Sequence, residues 1–166
     1  MAEQSTASET LWLLDSLADF QGYSLELVKQ TNRHIAILSH QLDDLVYGTE
    51  DFVQALSNFA RSSRHCEVRL LIKDTKPAIE SGHLLIRLAQ RLPSKILIRR
   101  MTQEPANKAM GFMLGDTSKL LYKNDESAYR GFYNQAAFPE VKQLQEEFNY
   151  LWHYAEAEPE FQRLHL

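Results

Sequence analysis

Two histidines and an aspartate follow short apolar runs of this sequence, where they could act together on a ligand. Asp74 comes directly after the run Val68–Lys73, and the dipeptide Gly82-His83 follows it a few residues later. A histidine beside a carboxylate is the usual pair for acid–base chemistry. A histidine at the start of a helix can also contact an anion, or simply cap the helix. His83 is therefore predicted either as a ligand or acid–base group oriented by Asp74, or as a structural cap, and the cap is the preferred interpretation.

The other histidine belongs to the polar segment Ser39-His40-Gln41-Leu42-Asp43-Asp44, which follows an earlier apolar run. The carboxyl ends of strands meet at one edge of an open α/β sheet, and ligands bind there. Ser39 and His40 are therefore predicted to face the same crevice as Asp74 and His83. A cation site on this segment would need one more ligand than the sequence names, because adjacent side chains diverge. An ordinary polar loop is preferred, and we expect no metal and no cofactor.

A basic cluster and an aromatic cluster are the remaining candidates for ligand contacts. The basic residues are Lys95, Arg99, Arg100 and Lys108. They could bind phosphate or RNA, but charge that protects an exposed edge strand is the preferred explanation. The aromatic residues Tyr129, Phe132 and Tyr133 surround Arg130 and could stack on bases. Packing of these rings against the core, near an irregular loop, is the preferred alternative.

Composition limits the class of protein. The chain has 166 residues, of which 24% are charged and 44% hydrophobic, as in an ordinary globular domain. The net charge of -4 disfavours a general nucleic-acid coat but leaves room for a local basic patch. Cys66 is the single cysteine, which fits a reducing compartment. There is no signal-peptide pattern and no apolar run of ~20 residues, so we expect a soluble cytoplasmic protein without membrane association.

The elements that must position these residues are short strands alternating with helices. Residues 1–9 are small and polar and are predicted to be a disordered tail, with a single domain over 10–166. Strands are predicted at 34–39, 68–73, 95–100, 111–115 and 119–123, with a less distinct first strand at 10–14. Helices are predicted at 21–32, from Thr49, over 79–91 and from Pro139. This order predicts an α/β fold in which a mixed β-sheet has helices on both faces.

The stretch Ala109–Asp116 has the spacing of the motif H-x-K-x-x-x-x-D, with Ala109 in place of the histidine, Gly111 in place of the lysine, and Asp116 retained. With this stretch, the chain resembles one half of the phospholipase D-like superfamily over about residues 11–152. The resemblance also rests on the order of elements, on the strand ending Ile72-Lys73-Asp74, and on a closing helix that carries Phe148 and Trp152. The sequence looks most like small bacterial members, some of them attached to acetyltransferases, in which Gly-His also follows the aspartate.

This resemblance implies a phospholipase D-like fold without its usual chemistry. Active members attack a phosphodiester with a histidine nucleophile, hold the phosphate with lysine, and bring two motifs together across a two-fold or pseudo-two-fold axis. Ala109 cannot form a covalent phosphohistidine, and Gly111 supplies no positive charge. Hydrolysis through this motif is not expected. Asp116 is retained either as a site residue or, preferably, as the cap of a turn.

Three functions remain open from the sequence. The preferred one is a catalytically inactive binding module for a phosphate-bearing ligand, a nucleic acid or a partner protein. Its predicted ligand contacts are Ser39, His40, Asp74, His83, Arg100 and Asp116. The second is a homodimeric structural or adaptor protein, which would pair through the motif face, the Trp152 helix or the hairpin. The third is a hydrolase in which His83 and Asp74 supply the acid–base chemistry.

Overall fold

A mixed sheet of seven strands organises the fold in the computed structural model, which describes residues 10–162. The strands are β1 (Leu11–Leu14), β2 (His34–Ser39), β3 (Glu67–Ile72), β4 (Ile96–Arg100), β5 (Gly111–Gly115), β6 (Lys119–Asp125) and β7 (Ala128–Asn134). Their order across the sheet is β1-β7-β6-β5-β2-β3-β4. The strands β2, β3 and β4 are parallel, and the other pairings are antiparallel. The predicted mixed sheet is confirmed.

Seven helices connect or follow the strands within residues 10–162, and four of them begin at a residue whose side chain accepts a free backbone N–H group. They are α1 (Leu17–Gln30), α2 (Asp44–Tyr47), α3 (Glu50–Arg61), α4 (Lys76–Ser81), α5 (Leu84–Arg91), α6 (Phe138–Tyr154) and α7 (Pro159–Gln162). Ser16 caps α1 by accepting from the backbone N–H of Asp19, and Thr49 caps α3 by accepting from that of Phe52. The start of α3 therefore agrees with the prediction, whereas α1 begins earlier than the predicted residue 21 because Ser16 supplies its cap.

Helices cover both faces of the sheet, and each face has its own core. Alternation along β2 and β3 sends Ile37 and Leu70 into the core beneath α1, α3 and α5. Leu38 and Leu71 point to the opposite face, where α6 covers them with Phe148. Because β2 and β3 are buried on both faces, their sequences read as almost continuous apolar runs. Helices on both faces are thus confirmed, and the central strands are held rigidly behind the loops that follow them.

Two parts of the fold differ from the sequence prediction. The helix predicted over 79–91 is divided into α4 and α5, because Gly82 takes a left-handed conformation with φ +63° and terminates α4. The aromatic segment around Arg130, predicted to lie near an irregular loop, is itself strand β7. Tyr133 on this strand is fully buried, so the expected core packing of this ring is confirmed.

The predicted tail at 1–9 lies outside the described residues, so its disorder and the single-domain division stay predictions. Over the part of the chain that is described, no helix is both long enough and apolar enough to cross a membrane.

Candidate functional site

A cavity of about 700 Å³ opens at the carboxyl ends of β2 and β3. One wall is the segment 40–44 that follows β2, and a second is α4 together with His83. The third wall combines Lys108 and Ala109, before β5, with the turn 125–127 between β6 and β7. A crevice was predicted from the sequence at this edge of the sheet. Of the six predicted contacts, His40 and His83 line the cavity.

His83 is a buried cap with both ring nitrogens engaged. Its Nδ1 accepts the backbone N–H of Leu85 at 3.1 Å, so its Nε2 carries the proton and donates to the carbonyl oxygen of Leu42 at 3.0 Å. Burial lowers the pKa of His83, and the nearby carboxylate of Asp44, 3.7 Å from Nε2, opposes this only in part. The ring is thus neutral at pH 7 and ties the loop after β2 to the start of α5.

Asp74 does not orient His83, contrary to the pairing considered from the sequence. Its carboxylate accepts the backbone N–H of Lys76 at 3.2 Å and lies exposed at the entry to α4. The break at Gly82 turns His83 toward the loop after β2 instead, where its acidic neighbour is Asp44. The acid–base pair needed for the hydrolase hypothesis is therefore not formed.

Ser39 has a structural role after β2, whereas His40 keeps a polar atom that could bind a ligand. Ser39 is buried, and its Oγ accepts the backbone N–H of Leu42 at 3.0 Å, which stabilises the turn after β2. The backbone N–H of His40 donates to Oε1 of Glu126 at 3.1 Å. The Nε2 atom of His40 is buried and has no hydrogen-bond partner among the described residues. His40 is thus the predicted contact that keeps an unused polar atom at the cavity.

Arg100 lies away from the cavity, on the edge strand β4. Its guanidinium Nη2 is 2.7 Å from Oε2 of Glu156, and its Nε is 3.8 Å from Oε2 of Glu158. The backbones of Arg100 and Glu156 also exchange hydrogen bonds, so the segment after α6 covers this part of the edge. The predicted edge position of β4 is confirmed, and Arg100 anchors the segment that follows α6.

Asp116 lies at the opposite end of the sheet from the cavity. Its carboxylate accepts the backbone N–H groups of Asn32, Arg33 and His34 at 2.8, 2.9 and 3.1 Å. Burial raises the pKa of Asp116, but these three bonds and nearby Lys119 outweigh it, so the net shift is downward. Asp116 therefore fixes the loop that leads into β2, rather than capping the turn 117–118 or contributing to the cavity.

The strand that carries the motif remnant has a different cluster at its start. Lys123 pairs with Gly111 across the sheet, and its Nζ donates to the carbonyl oxygen of Glu126 at 3.1 Å. The same Nζ lies 3.6 Å from Oδ2 of Asp43 and 3.6 Å from Oε2 of Glu126. Tyr129 donates to Oδ2 of Asp43 at 2.8 Å, and its ring lies 4.5 Å from Nζ. Lys123, Asp43, Glu126 and Tyr129 form what we call the Lys123 cluster.

The Lys123 cluster was not predicted from the sequence, although one signal was present. Leu121 points into the core from β6, and Lys123, two residues further, must point to the same face. A lysine at an inward position of a strand requires a carboxylate partner. That partner is only 3 residues away in the turn, as Glu126, but Asp43 comes from a distant loop. Periodicity could therefore identify the buried cation but not its full set of partners.

The cavity has more acidic than basic side chains around it. Its acidic residues are Asp43, Asp44, Asp125 and Glu126, and Lys108 is the lysine that lines it. Since His83 is neutral, a phosphate group in this cavity would face a net repulsion. No group of three or more metal-ligating side chains occurs within residues 10–162. The cavity therefore does not have the charge expected of a phosphate site.

Two solved structures are similar to this chain over 89% of its length. One is TrmBL2, an archaeal chromatin protein with a novel mode of DNA binding, at TM-score 0.62 and 14% identity. The other is NucT from Helicobacter pylori, at TM-score 0.60 and 8% identity, with 97% of that chain covered. This chain spans about half of the TrmBL2 chain, of which 54% is covered. At these identities the likeness shows the fold, which agrees with the phospholipase D-like expectation.

Sequence comparisons give the family. No curated protein is similar enough to match this chain. A family profile described as "Domain of unknown function (DUF7931)" matches residues 16–164. Because that match spans most of the sequence, the chain belongs to the DUF7931 family.

Proposed function

We propose that this protein is a non-catalytic nucleic-acid-binding module with a phospholipase D-like fold. The observation that carries the proposal is the chemistry at the start of β5. Ala109 lines the cavity without a nucleophilic group, and the carboxylate of Glu126 lies against Gly111. A site of that composition can neither form a covalent phosphoenzyme nor neutralise a phosphate. The DNA binding of TrmBL2, a protein of similar fold, supports nucleic acid as the ligand.

The hydrolase alternative has little support from the geometry. The Nδ1 atom of His83 would have to release the backbone N–H of Leu85 before the ring could accept a substrate proton. Asp74 is engaged at the start of α4 and does not contact His83. We therefore propose that the protein binds nucleic acid and releases it without hydrolysis.

A small phosphate-bearing ligand held jointly by the six predicted contacts is not part of the proposal. Those residues lie at three separate places: the cavity end, the β4 edge and the amino end of β2. A single small ligand cannot span them. His40, with its unused ring nitrogen, remains the residue through which the cavity itself could take a neutral hydrogen-bonding group.

The proposal is tested by binding and hydrolysis assays on the full chain. Fluorescence anisotropy with a labelled oligonucleotide is expected to show binding that weakens steeply with salt, because phosphate contacts release counterions. Hydrolysis of bis-p-nitrophenyl phosphate is expected to stay at the rate of the buffer alone, with Mg²⁺, Mn²⁺, Zn²⁺ or EDTA. Absence of binding at low salt would overturn the nucleic-acid part. Turnover that co-purifies with the folded protein would overturn the non-catalytic part.

A homodimer is a second candidate, which an exposed leucine beside a half-buried apolar pair at the sheet edge favours. Leu13 on β1 is 83% exposed and lies directly opposite Phe132 of β7. Phe132 stacks on Tyr122, with ring centroids 5.3 Å apart, so the apolar face continues to β6. Strand β1 ends the sheet and pairs, among the described residues, with β7 alone.

Sedimentation velocity tests this second candidate. If the face pairs two copies, Leu13→Asp shifts the protein to a monomer, whereas Leu45→Asp on the exposed side of α2 does not. A wild-type protein that is monomeric at micromolar concentrations would remove the reason for the dimer.

A further inference from the structure

Charged side chains are unequally divided between the two ends of the sheet. One end of the sheet consists of the loops that lead into β2, β3 and β4, the first residues of those strands, and the start of β6 with the turn before it. The described basic residues of this end are Arg33, Arg64, Lys95 and Lys119. The described acidic residues of the same stretches are Glu67 and Asp116. The helices α1, α3 and α5 add Lys29, Arg61 and Arg91 in their last turns, which suits the helix dipole. This end is therefore basic, although the whole chain carries -4.

The two acidic groups of this end are both engaged. Asp116 accepts three backbone N–H groups. Glu67 lies 3.6 Å from the guanidinium of Arg69. In contrast, the side chains of Arg33 and Lys119 make no salt bridge with another described residue. Lys119 does lie near Asp116, but that carboxylate is already held by three backbone N–H groups. Neither cation is thus held in an ion pair, and both can meet an anion from outside.

Both cations line one groove, whose other charged lining residues are Arg69, Glu67 and Asp116. Three cations therefore face two carboxylates, and both carboxylates are engaged as described above. The groove has a volume of about 830 Å³ and runs between the β5–β6 turn and α6. Its lining includes Arg33 and, from the turn, Thr117, Ser118 and Lys119. Hydroxyl groups and backbone N–H groups of such a turn are common contacts to phosphate oxygens. The groove therefore matches the chemistry of a sugar–phosphate backbone.

An exposed aromatic ring completes the groove. Phe138 begins α6, lines the same groove and is 58% exposed. A large apolar side chain that remains open to solvent beside cations is suited to stacking on a base, and such stacking tolerates every base. A base can reach the ring only when it is unpaired. The ring thus favours a single strand over a duplex.

We infer that a single-stranded nucleic acid binds in this groove, with phosphates against Arg33 and Lys119 and a base stacked on Phe138. The inference rests on the proposed function and adds the surface and the kind of strand. It moves the binding surface to the end of the sheet opposite the cavity. Neither Ala109 nor the Lys123 cluster has a part in it.

Titration of single-stranded and duplex oligonucleotides by anisotropy tests the inference with the full chain. The double variant Arg33→Ala with Lys119→Ala is expected to weaken binding of the single strand at moderate salt by roughly tenfold or more. It should also reduce the slope of log K against log salt by about 1.4, which corresponds to two phosphate contacts on a single strand. The matched control, Lys76→Ala with Lys108→Ala, removes the same charge at the cavity end and is expected to change affinity less than twofold.

Phe138→Ala tests the stacking contact and the choice of strand. It is expected to weaken binding of the single strand by about fivefold to a hundredfold, and to leave duplex binding unchanged. Equal losses in the two double variants would overturn the groove while leaving the proposed function intact. Duplex binding as tight as single-strand binding, with Phe138→Ala silent, would overturn the single-strand assignment. Absence of wild-type binding at low salt would instead contradict the proposed function itself.

Hydrogen exchange of the wild-type protein gives an independent readout that needs no variant. Backbone amides at 32–34 and 116–119 are expected to gain protection when the single strand binds. Protection confined to the cavity segments 40–44 and 125–127 would overturn the groove assignment.

Discussion

The carboxylate of Glu126 occupies the space beside Gly111 that a side chain at residue 111 would need. A Cβ built on Gly111 would collide with Oε1 of Glu126 and would also come within 3.3 Å of the carbonyl oxygen of Leu38. The same Oε1 accepts the backbone N–H of His40, while Lys123 holds the Glu126 carbonyl from the neighbouring strand. The space beside Gly111 is therefore filled by an anion, and a lysine introduced at residue 111 alone would collide with it.

Gly111→Ala should destabilise the protein by about 1–3 kcal/mol, because the new methyl group forces the Glu126 carboxylate away from His40. Combined with Glu126→Ala, the loss should be smaller than the sum of the two single losses, since the collision is removed. Urea unfolding of the four proteins measures this coupling. Gly22→Ala in α1, where a Cβ would meet nothing within 4 Å, is the matched control and should be neutral or slightly stabilising. Additive losses would show that the two residues do not share the space.

Lys123→Met should lower the free energy of unfolding by about 2–4 kcal/mol, because it leaves Asp43 and Glu126 in a partly buried position without their cation. Lys76→Met is the matched control, because its pair with Glu80 is exposed and should contribute under about 0.5 kcal/mol. Denaturant unfolding near pH 7 compares the two. A Lys123→Met protein as stable as the control would mean that the cluster is solvated rather than structural.

His83 should make stability depend on pH below neutrality. Because burial lowers its folded pKa, the unfolded chain binds a proton first, so stability is complete above the ordinary value of 6.5 and falls as the pH drops toward the lowered pKa. His83→Asn keeps an oxygen that can cap α5 but removes the titration. The wild type should therefore lose stability relative to His83→Asn as the pH falls below about 6.5. Parallel pH profiles for the two proteins would contradict the neutral, buried ring.

Asp116→Asn tests the carboxylate that fixes the loop before β2. An amide oxygen accepts fewer and weaker hydrogen bonds, so the loss at pH 7 should be about 1–3 kcal/mol. Asparagine tolerates the left-handed backbone of this residue, φ 49°, so the comparison isolates the charge. Because the folded pKa lies below the ordinary 3.8, the wild-type advantage should persist above that pH and disappear as the pH falls through the folded pKa. An advantage that stays constant into strong acid would contradict this role.

Local patterns in the sequence predict much of the fold, because β2 and β3 are buried on both faces and read as apolar runs. They also place His40 and His83 at one edge of the sheet. They fail for contacts between distant segments. The hydrogen bond from His40 to Glu126 joins residues 86 positions apart, and no periodicity signals it. Asp116 was misplaced for a related reason, since β5 runs antiparallel to β2 and carries its last residues to the other end.

Recovery of a labelled single strand from its complex with the full protein tests the central claim most directly. After incubation with excess protein at low salt, with Mg²⁺ or with EDTA, one sample is run on a native gel and another on a denaturing gel. The account predicts a retarded complex whose strand is recovered at full length under both conditions. Shortened products in the denaturing gel, or free strand in the native gel at every protein concentration, would contradict a module that binds nucleic acid without cutting it.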